Sequence, residues 1–227
     1  MNTVDLAATG VRELNRRLRH ASDDPSALSW LVTNPKGAHA IAAGLTHPVR
    51  IQIDGHVGYY CAGMNQAAAV TIDGHCGTGV AENIMSGLVR VRGNASQSAG
   101  ASGHGGLLVI EGNAGPRCGI SMKGVDIVVG GKAGHMSGFM AQSGNLVVCG
   151  DAGHDLGDSV YEAVIYVGGS PASLGADCVE KDMTPKHRSR LRGLLSRAGI
   201  EIDPERFRRF GSARKLYHFH VDHADAY

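Results

Sequence analysis

Residues 51 to 55 read Ile51-Gln52-Ile53-Asp54-Gly55, and a pattern of this kind returns six more times along the chain. Each copy places two aliphatic residues four and two positions before a glycine, and consecutive glycines are nineteen residues apart. A fixed period of this length indicates a solenoid, in which each repeat is one coil that buries its face against its neighbours. The marker glycines, which we expect to be structural turn residues, are Gly55, Gly74, Gly93, Gly112, Gly131, Gly150 and Gly169.

The paired aliphatic residues identify a short strand in every repeat. Residues two apart point to the same side of a strand, so both members of each pair face one interior. Small residues three and seven positions after each marker glycine predict tight turns. We therefore predict an all-β solenoid: a single-stranded, right-handed parallel β-helix of seven 19-residue coils, each with two short strands. With neighbouring strands ~4.8 Å apart, the rod is roughly 29 Å long.

Short helical arms are expected on both sides of the coils. The predicted divisions are an N-terminal helical cap over residues 1–48, the β-helix over residues 49–178, and a C-terminal helix with an extended tail over residues 179–227. Thr184-Pro185 is a strong helix start, and Gly199 ends that helix.

The N-terminal arm contains two helix start signals. Gly10 precedes a segment in which Leu14 and Leu18 form an apolar stripe, and Asp24-Pro25 precedes Trp30. We therefore predict one short helix in each half of this arm. At the other end of the chain, residues 207–227 are basic and aromatic, and they predict an extended tail that lies across another surface.

Composition excludes several classes of protein. Residues 51–178 carry five basic and ten acidic residues, whereas the rest of the chain carries seventeen and eleven, so the coils do not form a nucleic-acid groove. The chain has no recognisable signal peptide and no apolar run long enough for a bilayer, so we expect a cytoplasmic protein without a membrane partner. The five cysteines do not share matching positions on adjacent coils, so we expect no disulfide.

An apolar stripe is predicted on the outer face of the last four coils. The residue between the two aliphatic residues of each pair points outward, and in these coils it is apolar or aromatic. Such a stripe needs a cover. Two covers are possible: the chain's own C-terminal helix, or a partner protein. The interface candidates on this stripe are Val109, Val128, Val147 and Tyr166.

A second candidate surface is the edge of each coil nine to twelve residues after the marker glycine. Methionines alternate there with amide side chains, which suits an adaptable contact surface. The alternative is that these are ordinary turn residues with no binding role. The candidates on this edge are Met64, Asn83, His104, Lys123 and Gln142.

The sequence offers no recognisable catalytic constellation or cofactor motif. Stacking pairs His56 with His75 and His135 with His154, and residues 218–223 include three histidines, but no further metal ligand is placed with them. None of the five cysteines lies within four residues of another, which disfavours an iron–sulfur cluster. We therefore predict no catalytic residue, no metal and no cofactor bound by this chain.

The coil pattern resembles the glycine-rich GXGXG domain at the end of the large subunit of bacterial glutamate synthase. Three segments extend the resemblance to the stand-alone form of this domain, which is a subunit of N-methylglutamate synthases. They are HVGYYCAGMN at 56–65, RCGISMKG at 117–124 and GSARKLY at 211–217. The resemblance covers nearly the whole chain, and the last segment is its most specific part.

The resemblance implies a hetero-oligomeric complex that makes N-methylglutamate from glutamate and methylamine. Its partners would be a class II amidotransferase-like subunit and a glutamate-synthase-like subunit that carries FMN and iron–sulfur clusters. This chain would join them as a non-catalytic scaffold and would help to form the channel along which ammonia or methylamine travels. Arg214, Lys215 and Tyr217 in the tail would clamp a partner. Three alternatives stay open: the β-helix subunit of a formylmethanofuran dehydrogenase or formyltransferase/hydrolase complex, a free-standing enzyme, and a solenoid without an enzyme partner.

Overall fold

The fold is that of a computed structural model, which describes residues 1–21 and 28–216. The helices are α1 (Leu6–Thr9), α2 (Val11–His20) and α3 (Pro185–Ala198), and a 3-10 turn follows at Pro204–Arg206. The strands are β1 (Asn2–Asp5), β2 (Ser29–Thr33), β3 (Arg50–Asp54), β4 (Ala69–Ile72), β5 (Leu88–Val91), β6 (Leu107–Ile110), β7 (Lys123–Val129), β8 (Ser143–Val148), β9 (Val164–Val167), β10 (Cys178–Lys181) and β11 (Arg208–Ser212).

The strands stack as the nineteen-residue repeat predicts. From β1 to β9 they pair in parallel and in sequence order, and Ile51 aligns with Val70, which aligns with Val89. The inward aliphatic residues of every coil are buried in one continuous core. This confirms a parallel β-solenoid of about seven turns that are about 19 residues apart. The right-handed sense of the coil stays a prediction.

The second predicted strand of each coil is reduced to a single residue. Val57 and Cys76 form one isolated parallel bridge, and the equivalent residues of later coils do the same. Beyond the bridge, three alternate residues in each of the first six coils have left-handed backbone conformations, for example Tyr60, Ala62 and Met64, with φ of 57°, 54° and 56°. A strand needs extended residues throughout, so this alternation ends the strand.

The left-handed residues direct their backbone N–H groups toward neighbouring coils. Tyr60 donates to the carbonyl of Thr78 in the following coil at 2.9 Å, and Ala62 donates to the carbonyl of Ile41 in the preceding coil at 2.9 Å. A left-handed conformation costs a non-glycine residue roughly 1–2 kcal/mol. The hydrogen bonds between coils offset this cost, because a buried backbone group without a partner is also unfavourable.

The marker glycines allow the closest approach between coils. A Cβ atom at Gly74 would lie 2.6 Å from the carbonyl carbon of Gly55. The same column is hydrogen-bonded, because the N–H of Gly93 donates to the carbonyl of Gly74 at 3.0 Å. Any side chain at Gly74 would therefore separate the backbones at this point.

The N-terminal segment continues the solenoid, which corrects its prediction as a purely helical cap. β2 pairs with β3 in parallel, and buried Trp30 lies in this strand and not in a helix. The signal at Asp24-Pro25 lies outside the described residues. The first predicted helix is confirmed as α2, whose Leu14 and Leu18 are buried. From the same helix, Asn15 donates to Ala40 O and accepts from Ala42 N, which fixes α2 over the first turns.

The C-terminal segment also joins the sheet. Residues after Phe207 were expected to form an extended tail on another surface, but Arg208–Ser212 form β11, which inserts antiparallel between β9 and β10. Phe210 of this strand is buried in the core of the coils, and Phe207, directly before the strand, is buried in the apolar cluster beneath α3. The predicted helix is confirmed as α3, which ends where Gly199 adopts a left-handed conformation with φ of 65°.

The marker column can be tested with Gly74→Ala. We expect a loss of about 1–3 kcal/mol in the free energy of unfolding, because the new methyl group meets the Gly55 backbone. The matched control is Gly193→Ala in α3, where an added Cβ meets no atom within 4 Å and helix propensity favours alanine by about 1 kcal/mol. Urea unfolding measures both. Equal stability of Gly74→Ala and the wild type would show that the coils can spread at no cost.

Candidate functional site

The outer stripe of the later coils is covered by α3, so the first of the two predicted covers is correct. Its residues are completely buried against the apolar side of the helix. The structure therefore corrects the prediction that these residues dock a partner protein, because α3 already covers this face. The stripe residues are Val109, Val128, Val147 and Tyr166, and the helix residues that contact this cluster are Leu191, Leu194, Leu195 and Ala198.

Polar contacts fix the direction of α3 on the sheet. At its C-terminal end, Arg90 donates from Nη2 to the carbonyl of Ala198 at 3.0 Å. In the last turn of the helix, Arg197 contacts Asp126 Oδ2 at 3.0 Å. In the first turn, the Tyr166 hydroxyl and His187 Nδ1 are 2.8 Å apart. The helix is therefore held at both ends as well as by its apolar stripe.

The Tyr166 and His187 pair is neutral in character. Burial raises the pKa of the Tyr166 phenol. Burial, followed by the positive charges of Arg209, Arg190 and Lys186, lowers the pKa of the His187 imidazole. In the first turn of α3, positively charged side chains therefore lie around a hydrogen bond between two uncharged groups.

The edge predicted from the methionines is exposed. Met64 is 55% exposed, and His104, Lys123 and Gln142 are exposed as well, while Asn83 is half-buried. These residues belong to two parallel columns that flank a buried column. The buried column consists of Asn65, Ile84, Met122 and Ala141, whose side chains face the core.

Arg214 and Lys215, two residues of the predicted clamp, lie at the C-terminal end of the coils. Arg214 forms an ion pair with Glu162, with Nη2 2.9 and 3.1 Å from the two carboxylate oxygens. Asp177 accepts from the Ser212 hydroxyl and from the backbone N–H of Lys215. Burial opposes ionisation of Asp177, but these hydrogen bonds prevail and lower its pKa. Tyr217 lies outside the described residues.

The histidines of the first coils act as hydrogen-bond acceptors. His56 and His75 are stacked with ring centroids 4.8 Å apart, as their register predicts. His56 Nδ1 accepts from the backbone N–H of His75, and His75 Nδ1 accepts from that of Asn94. An accepting Nδ1 places the proton of the neutral ring on Nε2, so neither nitrogen offers a free lone pair to a metal.

This column of acceptors continues through later coils and was missed by the sequence analysis. Asn94 Oδ1 accepts from the N–H of Asn113 at 2.8 Å, and Asn113 Oδ1 accepts from that of Lys132 at 2.8 Å. At five of the seven marker glycines, the residue directly after the glycine therefore carries a side chain that accepts a hydrogen bond from the next coil. The signal was present, because this position is occupied mainly by His, Asn and Asp.

The cysteines form neither disulfides nor reactive thiolates. All five are free and buried. Burial raises the pKa of Cys76 and Cys118 to about 12 and that of Cys149 to about 11. A thiol with so high a pKa is a poor nucleophile at neutral pH. These residues therefore serve packing and not catalysis.

Comparison with known proteins gives a full-length relative. The chain is 58% identical over 228 residues to Protein GlxC of Rhizobium meliloti (strain 1021), and the alignment covers 100% of both chains. The chain belongs to the GlxC protein family. No protein-family model matches the sequence of this GlxC-family chain, and no solved structure matches it.

Two features are absent from the part of this GlxC-family chain that the structure describes. In residues 1–21 and 28–216, no three His, Cys, Asp or Glu side chains gather in a way that could hold a metal ion. Over the same ranges, none of the helices combines the length and the apolar character that a bilayer crossing requires. The histidines at 218, 220 and 223 lie outside these ranges.

The low pKa of His187 predicts a dependence of stability on pH. The unfolded chain takes up a proton at this residue near the ordinary pKa of 6.5, whereas the folded chain resists it. The stability contributed here is therefore fully present above pH 6.5, and it is lost as the pH falls from 6.5 through the lower pKa of the folded chain. Thermal unfolding between pH 8 and pH 5, compared between the wild type and His187→Gln, measures the effect. We expect a smaller loss in the variant, and identical profiles would contradict it.

Proposed function

We propose that this GlxC-family chain is the non-catalytic scaffold subunit of an N-methylglutamate synthase, a methylamine–glutamate N-methyltransferase related to glutamate synthase. It would hold an amidotransferase-like subunit and an FMN- and iron–sulfur-containing subunit at a fixed distance. The observation that carries this proposal is the edge of the solenoid, which leaves apolar side chains exposed on a stack of coils hydrogen-bonded to one another. A rigid rod with an uncovered apolar edge suits a subunit that positions other proteins.

The similarity to Protein GlxC and the sequence resemblance support this assignment. Of the three segments that carry the resemblance, residues 56–65 and 117–124 lie in the left-handed turns of the coils. The first of them exposes Tyr59, Tyr60 and Met64. The features shared with N-methylglutamate synthase subunits are therefore partly surface features, as expected for residues that contact a partner.

The packing of the coils limits where an amine could travel in such a complex. The interior is filled by aliphatic side chains, such as Ile53, Ile72 and Ile110, which have no exposed surface. An ammonium ion is strongly disfavoured in an apolar interior without hydrogen-bond partners. We therefore propose that methylamine or ammonia passes along the outside of the rod, between it and its partners, and not through its core.

The described side chains favour a scaffold over a free-standing enzyme. The thiols are buried, and the imidazoles of His56 and His75 already accept backbone hydrogen bonds. These are the groups that the sequence offers most readily as nucleophile, base or metal ligand. Their structural use supports a division of labour in which partner subunits carry the chemistry, with FMN and iron–sulfur clusters bound there.

The exposed edge can be tested by the double substitution Met64→Asp and Met85→Asp. We expect at least about tenfold less capture of the FMN-containing subunit in co-expression, because two carboxylates would be buried in an apolar contact. The control is Leu28→Asp, which places one such charge at another exposed apolar residue. Unfolding of each variant alone checks the fold. Full activity of the purified chain without partners would overturn the scaffold proposal itself.

The clamp can be tested most directly at Lys215. The side chain of Arg214 is engaged by Glu162, so reversing its charge would also create repulsion within the chain. No described residue pairs with the Lys215 side chain, so Lys215→Glu changes only the outward charge. We expect faster dissociation of a partner and a weaker dependence of binding on salt. Unchanged co-purification at low ionic strength would count against the clamp.

A further inference from the structure

A groove runs between α3 and the adjoining coils. One wall is a stripe of the helix formed by Lys186, Arg190, Gly193 and Arg197. Residues spaced by three and four lie on one side of a helix, so these four share a face. The opposite wall is formed by Ser143, Gly144 and Asn145 of β8, with acidic residues at its ends. The groove therefore has one basic wall and one polar wall.

Two of the three cations in this stripe have no counter-charge. Lys186 and Arg190 form no hydrogen bond or ion pair with any residue that the structure describes, whereas Arg197 is paired with Asp126. The other acidic residue of the groove, Glu162, is paired with Arg214. The acids nearest to Lys186 and Arg190 are therefore already engaged.

The unpaired charges are not typical of the rest of the helix. Arg188 and Arg192 both contact Glu205 in the following turn, so the cations on that side are compensated. In the groove, by contrast, Lys186 and Arg190 lie close enough to His187 to lower its pKa, after burial and the effect of Arg209. Cations that repel one another without an acid between them leave a place for an anion.

Gly193 is a second, independent feature of the same groove. It is exposed in the interior of α3, where glycine costs about 1 kcal/mol relative to alanine. An added Cβ would meet no atom of the chain within 4 Å, so packing within the molecule does not require a glycine here. A residue without a side chain is useful at this point if another backbone passes close to the helix.

The polar wall can bind a backbone. Asn145 donates to Asp126 from Nδ2, while its Oδ1 is buried without a hydrogen-bond donor among the described residues. Ser143 lies beside it with a hydroxyl group that can donate or accept. The Ser143 hydroxyl can therefore pair with an N–H or C=O group of an extended chain, whereas Asn145 Oδ1 is enclosed and does not offer a contact to it.

We propose that this groove binds an acidic segment of a partner protein, whose carboxylates pair with Lys186 and Arg190 and whose backbone passes over Gly193. From Lys186 to Gly193 these contacts cover seven residue steps, or roughly 10 Å of helix, which a peptide can span and a small anion cannot. The inference rests on the proposed scaffold function, because it assigns one of the contacts by which a partner is held.

The test compares two matched pairs of substitutions on one helix, in co-expression with the amidotransferase-like and FMN-containing subunits. Lys186→Gln with Arg190→Gln removes the unpaired cations, and Arg188→Gln with Arg192→Gln removes the same charge where it is already paired with Glu205. We expect the first pair to weaken capture of one partner about tenfold or more and to flatten its salt dependence. We expect the second pair to bind as the wild type does.

A folding defect would give a different result. Removing mutually repelling cations leaves the isolated chain at least as stable, whereas the control pair loses two ion pairs. Thermal unfolding of each chain alone separates stability from binding. A third variant, Gly193→Leu, adds bulk to the groove without disturbing the helix. We expect it to weaken capture by about tenfold and to leave the isolated chain at least as stable as the wild type.

The outcomes distinguish this inference from the proposed function. Capture of a partner by the wild type with equal capture by Lys186→Gln/Arg190→Gln would overturn the groove alone. A wild-type chain that captures neither partner would overturn both. In the last measurement, inorganic phosphate and glutamate are each titrated against the isolated chain. If either stabilises the wild type but not the double variant while capture is unchanged, the groove is a small-anion site and the peptide proposal is wrong.

Discussion

Hydrogen bonding between coils is the constraint on which the rest of this structure depends. Each coil forms backbone hydrogen bonds with its neighbours. Residues such as Tyr60, Ala62 and Met64 adopt left-handed conformations so that their N–H groups can reach the carbonyl groups of the neighbouring coils. The register can be kept only if each coil has the same length and brings its marker glycine against the one below. The nineteen-residue period of the sequence is thus the direct result of a backbone requirement.

Much of the fold could be predicted because the repeat is strict from Ile51 onward. The prediction was wrong where the repeat changes length. β2 aligns Trp30 with Ile51, twenty-one residues later, and no marker glycine follows it at the expected place. β11 was missed for another reason. It pairs antiparallel, so the spacing of its residues carries no trace of the period. A sequence repeat predicts only those strands that have the same spacing and the same direction as the repeating coils.

The surfaces were harder to predict than the core. The sequence identified an apolar stripe at Val109 and Val128, but it could not decide between a helix and a partner as its cover, because both offer apolar side chains. The exposed methionine edge could be located from its spacing alone. The groove beside α3 was not predictable, because it brings Lys186 and Arg190 beside β8, which is some forty residues away in the sequence. Such neighbours become visible only when the helix direction is known.

The antiparallel insertion of β11 has a consequence for assembly. A stack of parallel coils ends in a strand edge that an identical molecule could extend, and repetition of that event would produce a filament. β11 occupies the free edge of β9 with a strand of opposite direction, and β10 then closes the series. Because β10 pairs antiparallel with β11, it runs in the same direction as the coil strands, but it has only four residues and includes Glu180 and Lys181. Charged residues on a short edge strand oppose pairing with another copy, so this end of the solenoid disfavours growth into a filament.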